Sequence, residues 1–273
     1  RAVGSTLASQ SLDIAFKGEA IFVPSENIIG DRLEVVDPDA VHAARDSLRA
    51  ALGAALREPL LRVRSGPAPA GDDLGAEAKG ARRLRGVALG LIAAGDPREG
   101  AALAKAQFDA ADNMTDRQGA LAILASLDAP ERQAALDAFY QRFGDDPLVV
   151  DKWFALQALA QRQGTIDDVE RLAAHPAFSI ANPNRLRALA GSFAANPWVF
   201  NHPSGRGYRF VADMILAADR LNPQVAARLV PPLGRWRRME PGRSALMRAE
   251  LERIAATPGL SKDVFEQASK SLG

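Results

Sequence analysis

The sequence predicts an all-α protein, an irregular helical-repeat array of the armadillo or HEAT type built from antiparallel helix pairs. Apolar residues recur at three- and four-residue spacings along most of the chain, as on the buried side of an amphipathic helix. The connections are short, which favours antiparallel neighbours, and the uneven spacing of helix starts predicts irregular repeats. Such apolar lines run through Val41, Ala44, Leu48, Leu52 and Leu56, through Leu84, Val87 and Leu91, and through Val211, Ile215 and Ala218.

Asp-Pro and Asn-Pro pairs mark many helix starts. The Asp or Asn side chain caps the first backbone N–H groups, and proline fits the first helical position because its missing N–H has no intrahelical partner there. These pairs are Asp37-Pro38, Asp96-Pro97, Asp146-Pro147, Asn182-Pro183, Asn196-Pro197 and Asn222-Pro223. With other start signals they predict about a dozen helices, beginning near residues 38, 72, 97, 115, 130, 147, 165, 183, 207, 223, 241 and 261.

Capping boxes support three of these starts, because an acidic or amide side chain lies three residues after a capping residue. The pairs are Thr115 with Gln118, Asp128 with Glu131, and Asp96 with Glu99. The stretch RSGPAPAGDDLG at 64–75 is predicted to be a surface loop, or a soft seam between an N-terminal piece and the main array. Residues 1–273 are otherwise expected to form one helical domain.

The composition excludes several functional classes. The chain has no cysteine, so thiol nucleophiles, disulfides and cysteine zinc sites are absent. Its 34 basic and 33 acidic residues nearly cancel, which argues against a general attraction to nucleic acid or to anionic membranes. No apolar run approaches the length of a membrane span, and the first residues lack the apolar core of a secretory signal. We therefore expect a cytoplasmic protein, and the missing initiator Met suggests a fragment of a longer one.

Candidate catalytic residues are few. His42, His175 and His202 lie far apart and outside any paired-histidine zinc motif, so no metal site is expected. His175 and His202 each precede a proline, which favours a turn for both. Ser192 lies in AGSFA, which lacks the glycine-flanked turn of a catalytic serine, and is interpreted as a small packing residue. The GRGYRF motif at 205–210 is interpreted as a turn rather than an anion site.

Two arginine-rich segments, ARRLRG at 81–86 and GRWRRMEPGR at 234–243, could form a nucleic-acid surface. On a helix, however, Trp236 continues the apolar line of Val225, Leu229 and Leu233, so its ring is predicted to pack inward. The neighbouring arginines are then expected to stay solvated. Nucleic-acid binding is therefore not predicted.

The segment LNPQVAARLVPPLGRWRRM at 221–239 carries a polar pair at a helix start. Asn222 is the predicted cap, and Gln224 and Arg228 follow four residues apart on one helical face. Together with the first-turn N–H groups they could bind a carboxylate or carbonyl group. The alternative is an ordinary solvated face, and the spacing alone does not decide between the two.

Long motifs in a fixed order give the chain a resemblance to a known family. It resembles the C-terminal domain of bacterial-type aminopeptidase N, a group of zinc peptidases of the gluzincin class. The resemblance extends upstream through 24–52 and is weakest between about 57 and 105. The motifs are NMTDRQGALAIL at 113–124, DPLVVDKWFALQA at 146–158, HPAFSIANPNRLRALAGSFAANP at 175–197, GRGYRFVADMIL at 205–216 and the 221–239 segment.

The resemblance implies a noncatalytic lid that closes over the active site of an upstream catalytic domain and lines the access channel for short peptides. Zinc and the catalytic base would belong to that catalytic domain, so this chain would carry no cofactor and no catalytic residue of its own. Gln224 and Arg228 match a glutamine and an arginine that reach the substrate cavity in the family. Arg187 matches an arginine that faces the channel, whereas Arg185 is left open between a channel role and a structural one.

Two features of the sequence put the transfer of these roles in doubt. Arg206 stands where relatives often have a small residue, and Pro231-Pro232 doubles a proline inside the run that contains Arg228. The alternative function is a freestanding α-solenoid scaffold that binds a peptide or protein in its concave face. A complete enzyme is not expected from this chain alone.

Overall fold

The computed structural model describes all 273 residues and is all-α, with no strand and one isolated parallel bridge between Val36 and Met239. The predicted fold class is therefore confirmed. The helices are α1 Ala2–Ala8, α2 Ile14–Ala20, α3 Glu26–Gly30, α4 Pro38–Ala55, α5 Arg57–Ser65, α6 Ala76–Gly95, α7 Pro97–Ala110, α8 Met114–Ala125, α9 Pro130–Phe143, α10 Pro147–Ala158, α11 Thr165–Ala173, α12 Pro183–Leu186, a π-helix Arg187–Gly191, α13 Ser192–Ala194, α14 Arg206–Asp219, α15 Pro223–Ala227, a 3-10 helix Pro231–Arg238, α16 Pro241–Ala255 and α17 Lys262–Leu272.

The Asx-Pro pairs cap backbone as predicted. The side chains of Asp96, Asp146, Asn182 and Asn222 accept hydrogen bonds from N–H groups in the first turns of α7, α10, α12 and α15. Asp37 does the same for α4, whose residues Asp39 and Ala40 donate their N–H groups to it. Asn196 differs, because the Trp198 and Val199 N–H groups that it accepts belong to a tight turn and not to a helix.

The predicted capping box of Thr115 with Gln118 is wrong by two residues. Asn113 is the N-cap of α8, and its Oδ1 accepts the Asp116 N–H at 2.9 Å. The Asn113 amide also donates to the Asp116 carboxylate at 2.8 Å, which fixes the cap from both sides. A side-chain carbonyl that precedes the helix is the better acceptor for its first N–H groups, because Thr115 already lies within the first turn.

The chain divides into two compact units, the first comprising Arg1–Ser25 and Ala43–Gln141. In this unit α6 packs against α2, α5 and α7, around a small core of Leu60, Ala88, Leu91 and Ile92. Close backbone approach is required at Gly53 of α4, where an added Cβ would lie 2.0 Å from the Leu91 carbonyl oxygen. The glycine is therefore needed for the spacing of these two helices.

Arginines of the 81–86 segment hold the loop that follows α5. Arg82 is buried, and its Nη1 donates to the Asp73 carbonyl at 2.6 Å. Arg85 Nη1 donates to the carbonyls of Arg64 at 2.6 Å and Gly66 at 2.8 Å. The loop at 66–75 thus lies inside the first unit, between α5 and α6, with its carbonyls paired to guanidinium groups. Arg82 and Arg85 therefore have structural partners within the first unit.

The second unit comprises Glu26–His42 and Arg142–Gly273. Helix α10 packs against the π-helix and α11, while α16 packs against α14, α17 and the 3-10 helix. Buried aromatic rings meet edge to face in its core: Phe193 contacts Phe200 and Phe210, and Phe200 contacts Tyr208. Gly207 in α14 approaches the Phe200 carbonyl so closely that a Cβ would lie 2.4 Å from its oxygen. GRGYRF is therefore a packed helix start, in agreement with the turn interpretation.

None of the helices combines the length and the apolar character that a bilayer crossing requires.

Candidate functional site

Helix α15 presents the predicted polar pair. Asn222 Oδ1 accepts the Val225 N–H at 3.2 Å, which fixes where this five-residue helix begins. Gln224 lies in its first turn, and Arg228 follows at its C-terminal end with helical backbone angles. Two residues four apart on a helical backbone share one face. Their spacing on this backbone therefore puts Gln224 and Arg228 on one face of the segment.

Both side chains of the pair are exposed and uncommitted. Neither makes a hydrogen bond or an ion pair within the chain. Their neighbours Ala226, Ala227 and Leu229 are buried and anchor the segment from its other side. An amide and a guanidinium on an anchored backbone can donate hydrogen bonds to a carbonyl or a carboxylate without first breaking internal bonds.

Arg185 is a structural residue. Its side chain is 7% exposed, and its Nε donates to Asp151 Oδ1 of α10 at 2.6 Å. Its Nη1 donates to the Ala177 carbonyl at 2.6 Å, and its guanidinium lies 5.0 Å from the centre of the Phe154 ring. The sequence did not decide which of Arg185 and Arg187 has a structural role. The structure shows that Arg185 links α12 to α10.

Arg187, in contrast, is exposed and begins the π-helix. Its Nη2 donates to Asn184 Oδ1 and its Nε to the Pro183 carbonyl, so its partners belong to the preceding turn. A π-helical turn inserted between two α-helical turns is uncommon and is frequent at functional sites. Sequence reasoning missed this turn, because no residue pattern distinguishes it from continuous α-helix.

The two segments that carry the predicted residues meet at a glycine. A Cβ added to Gly191, at the end of the π-helix, would lie 3.7 Å from Leu229 Cδ2 and 3.7 Å from Arg187 Cβ. Leu229 directly follows Arg228 in the chain. The segment of Arg187 and the segment of Gln224 and Arg228 therefore pack against each other through Gly191 and Leu229.

In the region after Arg228, the helical run that contains Pro231-Pro232 is interrupted. Helix α15 ends at Ala227, and a 3-10 helix runs from Pro231 to Arg238. Pro231 and Pro232 lack the N–H groups that would continue α-helical bonding, and their rings clash with the preceding turn. Trp236 is only half-buried, and its Nε1 donates to the Ser271 carbonyl at 2.9 Å.

The arginines beside Trp236 remain partly or fully exposed, as expected, and each of them also has a partner within the chain. Arg235 pairs with Asp31 at 2.9 Å, and Arg238 donates to the carbonyls of Gly30 and Leu33. Arg237 lies over the Trp236 ring, 4.3 Å from its centre.

The three histidines have structural surroundings. The Nδ1 atoms of His175 and His202 accept backbone N–H groups of Ala177 and Ser204, which confirms the turn interpretation for both. Burial, with a contribution from the charge of Arg185, lowers the pKa of His175. His42 stacks on Trp198 and contacts Glu26. No group of three or more His, Asp or Glu side chains is arranged to hold a metal ion, so these residues do not fit a zinc site.

Fold and site together define an armadillo-type helical-repeat domain. The whole chain, residues 1–273, matches the model of a family described as "Domain of unknown function (DUF3458_C) ARM repeats". The chain belongs to this family.

Known proteins extend the comparison. The chain is 43% identical over 274 residues to aminopeptidase N of Caulobacter vibrioides, with 100% of this chain and 32% of that protein covered. It is 33% identical over 269 residues to aminopeptidase N of Escherichia coli, with 98% and 31% covered. A crystal structure of Legionella pneumophila aminopeptidase A in complex with aspartic acid matches with a TM-score of 0.90 and 30% identity, covering 98% of this chain and 33% of that one.

These matches confirm the resemblance to the C-terminal domain of aminopeptidase N. The chain spans about a third of the length of the relatives it matches.

Proposed function

We propose that this chain is the noncatalytic lid of a zinc-dependent aminopeptidase, that it closes over the active site of an upstream catalytic domain, and that it lines the passage for short peptides. Two findings support this proposal: the relatives are named aminopeptidase N, and the chain matches only about a third of their length. Catalysis and zinc binding would be carried by the catalytic domain, because the histidines of this chain are committed elsewhere and do not form a metal site.

One observation carries the proposal. Gln224 and Arg228 are a pair of exposed hydrogen-bonding side chains without partners, on a helix start that Asn222 fixes. A solvated arginine on this surface commonly finds an acidic neighbour, as Arg206 does with Asp167 and Glu170. The unpaired Arg228 is suited to a carbonyl or the carboxylate end of a peptide, and the Gln224 amide, which donates and accepts, to the first residue of the peptide and its side chain.

Arg187 is proposed as the third residue of the passage. It is exposed, and its segment contacts that of Arg228 through Gly191 and Leu229. The hydrogen bond to Asn184 holds the Arg187 guanidinium over its own helical turn. Arg187 would therefore orient the peptide and would not move to enclose it.

Docking to the catalytic domain would cover apolar side chains that this chain leaves in water. Leu221, immediately before Asn222, is 57% exposed, and Leu148 and Phe265 are more than half exposed as well. Single exposed apolar residues are ordinary, but Leu221 adjoins the α15 start that would face the active site. We propose that Leu221 lies at the edge of the surface between the two domains.

The experiment is steady-state kinetics of the full-length aminopeptidase with Gln224→Ala and Arg228→Ala. Matched controls are Gln10→Ala, between α1 and α2, and Arg98→Ala, in α7, both at exposed positions. Loss of a charge-assisted hydrogen bond costs roughly 1.5 to 3 kcal/mol, so Arg228→Ala should lower kcat/KM for tri- and tetrapeptides about ten- to a hundredfold. Aminoacyl amides lack residues beyond the scissile bond and should be cleaved as before.

The Gln224→Ala variant should alter preference among amino-terminal side chains, with stability unchanged in both variants. If each variant matches its control on every substrate, these side chains do not line the passage.

A further inference from the structure

A cavity of about 360 Å³ lies within the second unit, between α3, the turn after α13 and the start of the 3-10 helix. Its walls are mostly apolar and include Val36, Val41, Phe200 and Met239. This volume falls at the small end of the range that organic ligands occupy in proteins. Gln224, Arg228 and Arg187 do not line it, so it is distinct from the proposed peptide passage.

Glu26 is the charged residue of this wall that lacks a full set of partners. Its side chain is 3% exposed, and Oε1 lies 2.7 Å from His42 Nδ1. Oε2 is buried and has no hydrogen-bond partner. His42 is itself held in place by stacking on Trp198, with ring centres 3.7 Å apart and planes at 7°. The carboxylate is therefore anchored on one oxygen and unsatisfied on the other.

Two other polar side chains of the cavity wall, Asn201 and Arg235, already have partners within the chain. Asn201 Oδ1 accepts the Tyr208 hydroxyl at 3.0 Å, and its Nδ2 donates to the Pro197 carbonyl at 2.8 Å. Arg235 pairs with Asp31 at 2.9 Å. The unpaired acceptor in the cavity wall is thus the Glu26 carboxylate, whose Oε2 can accept a hydrogen bond from a ligand.

We propose that this cavity binds a small primary amine with a compact apolar body. The ammonium group would donate to the Glu26 carboxylate, and the apolar body would rest on Val36, Val41, Phe200 and Met239. A buried acceptor without a donor is costly, and a cationic donor offsets both the missing bond and the negative charge. A neutral apolar ligand would leave Oε2 unpaired, and an anion would be repelled. The site goes beyond the lid function and does not depend on it.

The test is calorimetric titration of the 273-residue chain with 2-phenylethylamine and with 2-phenylethanol, which replaces the ammonium with a hydroxyl on the same body. The amine should bind with one-to-one stoichiometry and at least about tenfold more tightly than the alcohol. Equal affinities, or no binding of the amine, would overturn the proposal.

Two variants locate the binding. Glu26→Gln should weaken amine binding about tenfold or more, whereas Glu58→Gln, at an exposed glutamate of α5, should leave it unchanged. Ala195→Leu places a larger side chain at an exposed part of the cavity wall and keeps the carboxylate, so it should also abolish binding. Circular dichroism checks the folding of each variant. If Glu26→Gln does not fold, the titration of Ala195→Leu tests the proposal instead. Undiminished amine binding by Ala195→Leu would show that the amine binds outside this cavity and would contradict the assignment.

Discussion

Arg185 and Arg187 are two residues apart in the chain, and the structure assigns them opposite roles that a pair of substitutions can separate. Arg185→Ala removes a guanidinium from Asp151, from the Ala177 carbonyl and from the face of Phe154. The Asp151 carboxylate, 18% exposed, would remain without its cation. Arg187→Ala removes an exposed side chain whose partners lie in its own turn.

The magnitudes of the two effects differ. Breaking a buried ion pair by removing one partner costs about 3 to 5 kcal/mol. Because Asp151 retains some contact with water, we expect the lower end, about 3 kcal/mol. For a chain of 273 residues that unfolds in one transition, this corresponds to a fall in Tm of about 5 °C. Arg187→Ala should change stability by less than about 0.5 kcal/mol, as is usual for surface substitutions.

The assay is thermal and urea unfolding of the purified variants, followed by circular dichroism at 222 nm as a helix signal. Arg185→Ala should unfold at lower temperature and lower urea concentration, and the unfolding curves of Arg187→Ala should superimpose on those of the unsubstituted chain. Equal stability of the Arg185→Ala variant, or an equal loss in both variants, would refute the structural assignment.

Three further predictions concern packing, pH and metal. Gly53→Ala should destabilise the chain by about 1 to 3 kcal/mol or more, because the added Cβ would overlap the Leu91 carbonyl. Gly119→Ala, whose added Cβ would have nothing within 4 Å, should stabilise α8 by roughly 0.5 to 1 kcal/mol. Urea unfolding measures both changes. Burial, together with the charge of Arg185, lowers the pKa of His175 in the folded chain, so the unfolded chain binds a proton more readily. The stability of the chain should therefore fall as pH drops below about 6.5. The His175→Asn variant, whose side chain cannot titrate, should lack this part of the pH dependence. The isolated chain should bind no stoichiometric zinc and cleave no aminoacyl amide, and one zinc per chain with chelator-sensitive activity would contradict the lid proposal.

Helix starts were predictable where a local signal was strong. The starts at Pro97, Pro147, Pro183 and Pro223 follow Asx-Pro pairs and coincide with the structure, because the cap and the proline act within one turn. The helices at 2–8, 14–20, 26–30 and 57–65 were missed. All four have nine residues or fewer, which is too short for a clear apolar period, and α2 also packs on α6, where Gly18 lies against Leu84.

The candidate site was predictable only in part. The shared face of Gln224 and Arg228 follows from their spacing and from the Asn222 cap, both of which are local. Whether Arg185 or Arg187 is buried depends on Asp151 and Phe154, which belong to another helix, so spacing could not decide it. The cavity at Glu26 gave no sequence signal, since it arises where segments distant in the chain meet.

The central claim is that the Gln224 and Arg228 face of α15 contacts peptide in the intact aminopeptidase. The most direct measurement replaces Gln224 with the photo-crosslinking residue p-benzoylphenylalanine in the full-length protein, irradiates it with a bound, slowly cleaved peptide, and locates the crosslink by mass spectrometry. Arg98, exposed in α7, is the control position for the same replacement. The lid proposal predicts a crosslink to the peptide from position 224 and none from position 98. A peptide that crosslinks equally from both positions, or from neither, would contradict it.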